Sequence, residues 1–134
     1  MEKHKVAIVI PAFNEQETIY DEVQSVKENG IVIVVNDASI DDTEQRALKA
    51  GAIVVTHKIN KGYDGALNSG FIKASELDCD IIITFDADGQ HDPYIIKKFI
   101  MLLDSGYDVV IGIRSNFQRL SEHIFSWVSR FKWG

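Results

Sequence analysis

The chain has 134 residues, 46% hydrophobic and 25% charged, a balance expected of one globular domain and not of a disordered segment. Its formal net charge of −6 offers no basic excess to displace phosphate counterions, so no nucleic acid partner is expected. No apolar run approaches the roughly 20 residues of a membrane span, the N-terminus lacks a signal-peptide core, and the single Cys79 has no disulfide partner; the cytoplasm is the expected compartment.

Strand-like and helix-like segments alternate along the chain. Lys5 to Pro11 reads as a first strand, and Glu15 to Glu28 as a helix with Ile19, Val23 and Val26 on one stripe. The second strand, Ile31 to Asn36, is almost continuously apolar, as in parallel sheets covered on both faces. A helix over Asp41 to Ala50 follows Ser39, with Asp42 placed for a capping box. Ala52 to His57 predicts a third strand, Lys61 to Glu76 a third helix, and Asp80 to Asp86 a fourth strand, with Cys79 a small residue at its edge. Asp92-Pro93 then supplies an N-cap and a proline for the first helical position of a fourth helix, and Tyr107 to Ile113 a fifth strand. Finally, Leu120, Ile124, Trp127, Val128 and Phe131 recur at helical spacing, predicting an amphipathic C-terminal helix over 117–134 with Arg119, Arg130 and Lys132 around its apolar face. Core packing, contact with another segment and a membrane surface are all open to that helix.

This alternation with short links implies right-handed βαβ units and a doubly wound, mostly parallel sheet. In such sheets ligands bind beyond the carboxyl ends of the strands, where the strand order reverses. With an order beginning 3-2-1-4, Pro11 to Glu15, Asn36 to Ser39 and Asp86 to Gln90 converge on one rim.

The tetrad Asp86-Ala87-Asp88-Gly89 carries the most chemistry. In an extended segment side chains at i and i+2 leave the same face, so the two carboxylates point into one small volume. Either one keeps its proton or a divalent cation sits between them, unless the tetrad is simply a turn. Hard oxygen ligands of this kind suit Mg²⁺ or Mn²⁺ held jointly by protein and substrate phosphates. The first loop has no phosphate-cradling glycines; it reads Asn14-Glu15-Gln16-Glu17, whose carboxylates would repel a diphosphate. That argues against dinucleotide and P-loop chemistry and for a nucleotide diphosphate bridged by a cation. Of His4, His57, His91 and His123, which share no metal-ligand spacing, only His91 is expected near the site.

Pro11-Ala12-Phe13-Asn14-Glu15, Asn36-Asp37-Ala38-Ser39 with Asp41-Asp42-Thr43, Asn60-Lys61-Gly62, Asp86-Ala87-Asp88-Gly89-Gln90-His91 and Gly112-Ile113-Arg114 resemble the successive motifs of family 2 glycosyltransferases. The similarity spans almost the whole chain and is closest to the branch with polyprenyl-phosphate (dolichyl-phosphate) mannosyl- and glucosyltransferases. The resemblance implies a GT-A fold and metal-dependent, inverting transfer from a GDP-mannose or UDP-glucose type donor to a polyprenyl-phosphate or saccharide acceptor. By the same resemblance Pro11, Phe13 and Glu15 would frame the nucleoside with Val35 nearby, and Asp37 would accept hydrogen bonds from base or ribose. Asp86, Ala87 and Asp88 would meet the donor, Asp86, Asp88 and Gln90 would hold Mg²⁺ or Mn²⁺, and Arg114 would meet a phosphate.

Two departures stand out: Asn36 where an aspartate is common, and Tyr63-Asp64-Gly65 where the family often has a small or basic stretch. Residues 1–116 would form the nucleotide-sugar-binding core, with 117–134 leading into a missing acceptor-binding part. No catalytic base is assigned from the sequence. Peripheral membrane association with a lipid-phosphate acceptor and a homo-oligomer are further expectations. The competing readings are a donor-binding module without turnover, and a haloacid-dehalogenase-type phosphatase, whose Asp-x-Asp also follows an apolar strand.

Overall fold

Period-two alternation in four short strands creates two apolar faces, and each face takes its own helices. The computed structural model describes residues 4–85, 94–106, 109–111 and 127–129. Strands β1 (Val6–Ala12), β2 (Ile31–Asn36), β3 (Ile53–Thr56) and β4 (Ile81–Thr84) are parallel and lie in the order β3-β2-β1-β4, so the direction of winding reverses between β1 and β4. Ile8, Ile10, Val32, Val34, Ile81 and Ile83 project to one face. There they meet Ile19, Val23 and Val26 of α1 (Ile19–Val26), Ala47 and Ala50 of α2 (Thr43–Ala50), and Ile96 and Leu103 of α4 (Tyr94–Asp104). The intervening Ala7, Val9, Ile33 and Val35 project to the other face, under Ala66 and Ala74 of α3 (Gly62–Glu76). Near-continuous apolar sequence in β1 and β2 is thus the signature of a sheet buried on both sides.

Three elements differ from the sequence expectation. Helix α1 begins at Ile19 and not Glu15, because Glu15 to Thr18 form a turn in which the Glu15 carbonyl accepts from the Thr18 and Ile19 amides; its far end tightens into 3-10 helix over Lys27–Asn29. The expected Ser39–Asp42 capping box does not form. Asp42 is the N-cap of α2 without a side-chain cap, and the neighbouring Asp41 accepts from the Thr43 amide instead. The third difference lies in the expected C-terminal helix. Trp127–Ser129 forms strand β6, antiparallel to β5 (Val109–Ile111) and running beside β4. Over so short a stretch helical and extended periodicities are hard to separate, and aromatic Trp127 with β-branched Val128 suits a pleated surface. The pairing spans the expected division at residue 116; the rest of 117–134 lies outside the described residues.

Close approach of α3 to β1 rests on Gly70. A β-carbon at this position would sit 2.3 Å from Cγ1 of Val9. Alanine normally favours a helix interior over glycine by about 1 kcal/mol. Overpacking a buried contact costs roughly 1–3 kcal/mol, so the clash outweighs the helix preference. Gly70→Ala is therefore expected to lower stability by a net of up to about 2 kcal/mol, read as a reduced urea midpoint with an unchanged denaturant slope.

Candidate functional site

Hydrogen bonds between the loops after β1 and β2 fix one half of the rim. The Asn14 amide donates to Ser39 Oγ (2.9 Å), and Asn14 Oδ1 accepts from the Ile40 amide (3.0 Å). The Glu15 amide donates to Thr43 Oγ1 (2.9 Å), while Arg46 Nη1 reaches the Gln16 carbonyl (2.9 Å). Thr43 Oγ1 in turn donates to Asp41, whose carboxylate also accepts from the Thr43 and Gln16 amides. Burial pushes the Asp41 carboxyl up, but these bonds outweigh it and hold it below its ordinary range. Two residues take left-handed backbone, Asn14 (φ 52°) and Ala38 (φ 62°). Asparagine tolerates that region; alanine does so at about 1–2 kcal/mol, a strain held by the bonded residues on either side. The Asp37 amide donates to the Ala12 carbonyl and the Ser39 amide to Asn36 Oδ1.

Asp37 organises the other half. It follows β2 and is only 4% exposed, an unusual place for a carboxylate unless it is well partnered. Oδ1 accepts from the Lys61 amide (2.8 Å) and lies 2.8 Å from His57 Nδ1; Oδ2 accepts from the Gly62 amide (2.9 Å). Asn60 adds a bond from Nδ2 to the Asp37 carbonyl (3.3 Å). Asp37 thus binds the open amides at the start of α3, and Gly62 (φ 76°) supplies the left-handed turn that aims them. Burial alone raises the Asp37 pKa, yet the Lys61 amide, the His57 side chain, the Gly62 amide and the attraction of His57 together bring it below 3.8.

The expected site residues therefore divide. Pro11 is half-buried at the end of β1, Phe13 is 49% exposed on the rim, and Glu15 is half-buried beside it. Val35 is fully buried under α3 and has no surface for a ligand to meet. Asp37 belongs to the rim, with most of its acceptor capacity used by the protein. Asp86, Ala87, Asp88, Gln90 and Arg114 lie outside the described residues. Asp86 follows directly on Phe85, whose amide bonds the Val9 carbonyl (2.9 Å) at the β1–β4 reversal. Among the described residues no group of three or more His, Cys, Asp or Glu side chains could hold a metal ion. The donor set Asp86, Asp88 and Gln90 fits a hard divalent cation by its chemistry, two carboxylates and an amide.

His57 corrects the sequence expectation, which kept it away from the site. The parallel register aligns Asn36 with Thr56, so the next residues along, Asp37 and His57, are neighbours at the same rim. That pairing was the available signal, and it required the strand register. Ser69, 2.7 Å from His57 Nε2, carried no signal at all in the sequence.

Residues 7–126 match the sequence profile of glycosyl transferase family 2. The chain belongs to that family. Membership removes the haloacid-dehalogenase alternative. Over 115 residues the chain is 43% identical to an uncharacterized protein of Methanocaldococcus jannaschii, covering 84% of this chain and 47% of that protein. Over 129 residues it is 33% identical to a UDP-N-acetylglucosamine–dolichyl-phosphate N-acetylglucosaminyltransferase of Methanococcus voltae, covering 81% and 51%. The chain spans about half the length of these curated relatives. Glucosyl-3-phosphoglycerate synthase of Mycobacterium tuberculosis, solved with Mn²⁺, UDP-glucose and phosphoglyceric acid, superimposes with a TM-score of 0.72 at 27% identity, covering 89% of this chain and 47% of that one. The parallel sheet with its flanking helices is the GT-A, Rossmann-like fold of these glycosyltransferase neighbours.

The lowered Asp37 pKa fixes the sign of a pH effect. The folded state binds this proton less readily than the unfolded chain, so the stabilisation is complete above the unfolded value of about 4 and is lost as pH falls through the lower folded value. Asp37→Asn presents a donor where an acceptor is needed and is expected to cost about 1–3 kcal/mol at neutral pH. Urea titrations from pH 7 to pH 2 should show a lower plateau and a shallower acid limb than wild type.

Proposed function

We propose that this chain is the donor-binding half of a metal-dependent, inverting glycosyltransferase that takes a nucleotide-diphosphate sugar and serves a polyprenyl-phosphate or saccharide acceptor. The observation that carries the reading is the cross-linked rim built by the loops after β1, β2 and β3, at the same end of the sheet from which β4 leads in sequence to Asp86-Ala87-Asp88 in a chain of this family. Support for the donor comes from the mycobacterial neighbour solved with Mn²⁺ and UDP-glucose, and for the acceptor from the name of the dolichyl-phosphate relative. In this reading Pro11, Phe13 and Glu15 frame the nucleoside and Asp37 accepts a hydrogen bond from it, while Val35, sealed in the core, touches no ligand. Asp86, Asp88 and Gln90 would hold Mg²⁺ or Mn²⁺, and Arg114 would meet a phosphate. The cation, when bound, supplies positive charge to the diphosphate that leaves the sugar.

The transfer itself forms a bond from the acceptor oxygen to the anomeric carbon and breaks the bond from that carbon to the diphosphate oxygen. An alcohol acceptor must lose its proton as it attacks and so needs a base. A phosphate monoester, with a second pKa of about 6, is already anionic and does not. A lipid-phosphate acceptor therefore suits a donor half to which no base has been assigned. In this reading a lipid-phosphate acceptor would be met at the membrane surface; no helix among the described residues is long and apolar enough to cross a membrane. A donor-binding module without turnover is the second reading, favoured by the chain's covering about half of its relatives.

Isothermal titration of UDP and GDP with and without Mn²⁺ tests the donor assignment, and Asp88→Asn tests the metal. The wild type is expected to bind one of them in a Mn²⁺-dependent manner, and a folded Asp88→Asn chain to lose that dependence by tenfold or more, about 1.4 kcal/mol. Nucleotide binding that ignores both Mn²⁺ and the substitution would sink the metal assignment. Slow donor hydrolysis without transfer by the isolated chain, and transfer by a longer one, would favour the module reading.

A further inference from the structure

His57 and Ser69 are polar groups that the donor reading above does not use. His57 is 6% exposed at the end of β3, and its two ring nitrogens face different partners: Nδ1 lies 2.8 Å from Asp37 Oδ1 and Nε2 lies 2.7 Å from Ser69 Oγ. An ionised carboxylate only accepts, so Nδ1 carries the proton and donates to Asp37. In the neutral ring Nε2 then accepts from the Ser69 hydroxyl. Ser69 is carried by α3 one residue before Gly70, where the helix closes on β1. The chain Ser69 to His57 to Asp37 thus runs from the middle of α3 to the rim.

The accounting at Asp37 shows what this chain does. A carboxylate has about four lone-pair sites. Oδ1 takes two donors, His57 Nδ1 and the Lys61 amide, while Oδ2 takes one, the Gly62 amide. Among the described partners one acceptor site is left, on Oδ2. Two backbone amides from one short turn can follow a swinging carboxylate; a ring fixed at both nitrogens cannot. We infer that His57 is a positioning residue for the nucleotide donor, holding the Asp37 carboxylate by Oδ1 so that the remaining acceptor site of Oδ2 meets an N–H or O–H of the nucleoside, with Ser69 holding the ring's orientation through Nε2. The inference rests on the donor reading proposed above. It explains how a carboxylate almost wholly engaged by the protein still contributes to recognition: the three internal bonds set its direction, and the fourth is the one that discriminates.

Substitutions separate the two sides of the ring. The amide nitrogen of His57→Asn can stand near the place of Nδ1 and keep the Asp37 bond. That of His57→Gln reaches toward the place of Nε2 and keeps only the Ser69 side, and His57→Ala removes both. The full chain is titrated with UDP and with GDP in the presence of Mn²⁺, each variant being checked first for a wild-type fold by circular dichroism and for its melting temperature. The preferred nucleotide is expected to bind about tenfold more weakly to His57→Ala and His57→Gln, and within about threefold of wild type to His57→Asn, the size of one well-placed hydrogen bond. The ratio of UDP to GDP affinity should move toward unity in the two weak variants. A purely structural role would leave that ratio where it was.

Ser69→Ala, which leaves the imidazole in place, covers the case in which His57→Ala does not fold. It is expected to weaken the preferred nucleotide about two- to fivefold with the same drift in ratio. A wild type that binds a nucleotide while folded His57→Ala or Ser69→Ala binds equally tightly, or loses both nucleotides by one common factor, overturns the positioning role alone. A wild type that binds neither nucleotide overturns the donor reading, and the positioning role with it.

Discussion

A carboxylate buried at the end of β2 is the constraint on which the rim depends. Removing an ionised group from water is expensive, and Asp37 stays charged because two amides and an imidazole replace the lost hydration. Those donors come from three places, the turn before α3, its first residue and the end of β3, so one side chain ties the rim ends of segments that the sheet and the packing of α3 bring together. The same arrangement settles what the start of α3 is used for. A helix N-terminus is a natural anion site, and here the anion is Asp37 itself. An incoming diphosphate finds that position taken.

Core and rim divide their work along the strands. Within β1 and β2 the residues before Pro11 and Asn36 are committed to one of two apolar layers, and Val35 shows how completely: it lies within two residues of Asp37 yet is sealed under α3. Beyond the last rung, the same strands hand their chains to loops held by side-chain to backbone bonds, Asn14 with Ser39 and Ile40, and Glu15 with Thr43. The loops are therefore stiff without being buried. A site made this way needs little reordering when a ligand arrives, which lowers the entropic cost of binding.

The sheet was legible because its signal is carried by many residues at once. Val6 to Ile10 and Ile31 to Val35 are short, continuously apolar runs of mostly β-branched residues, and length and composition, not a period, mark them as strands buried on both faces. The convergence of the loops after β1 and β2 also followed from strand order alone. What could not be read was whatever one or two atoms decide. The capping box expected from Ser39 and Asp42 does not form, and the Asp41 carboxylate accepts from the Thr43 amide instead. His57 was misplaced because its meaning depends on the register of β3 against β2, which a string of letters does not contain. Trp127 and Val128 were read as helical because spacing over so few residues fits two periods, and pairing with β5 decided between them.

Charge ties the fold to the proposed chemistry. The chain carries a net −6, and Glu15, Glu17, Asp37, Asp41 and Asp42 all stand in or beside the loops that follow β1 and β2. A diphosphate brings at least two further negative charges, and neither the turn before α1, with Glu15 and Glu17, nor the start of α3, already bound to Asp37, can neutralise them. Screening by salt removes little of the repulsion at contact distances. Against these carboxylates the described rim sets the exposed Lys58 and Lys61 after β3 and Arg46 beside Gln16, so in the proposed reading a diphosphate would gain from concentrated positive charge beyond theirs. In the proposed reading Asp86 and Asp88, two carboxylates on alternate sequence positions just beyond β4, would recruit a divalent cation, so that their mutual repulsion would become the source of its affinity. In that account acidity is what makes the rim selective: a nucleotide without the cation is repelled, and a cation-bound nucleotide is drawn in.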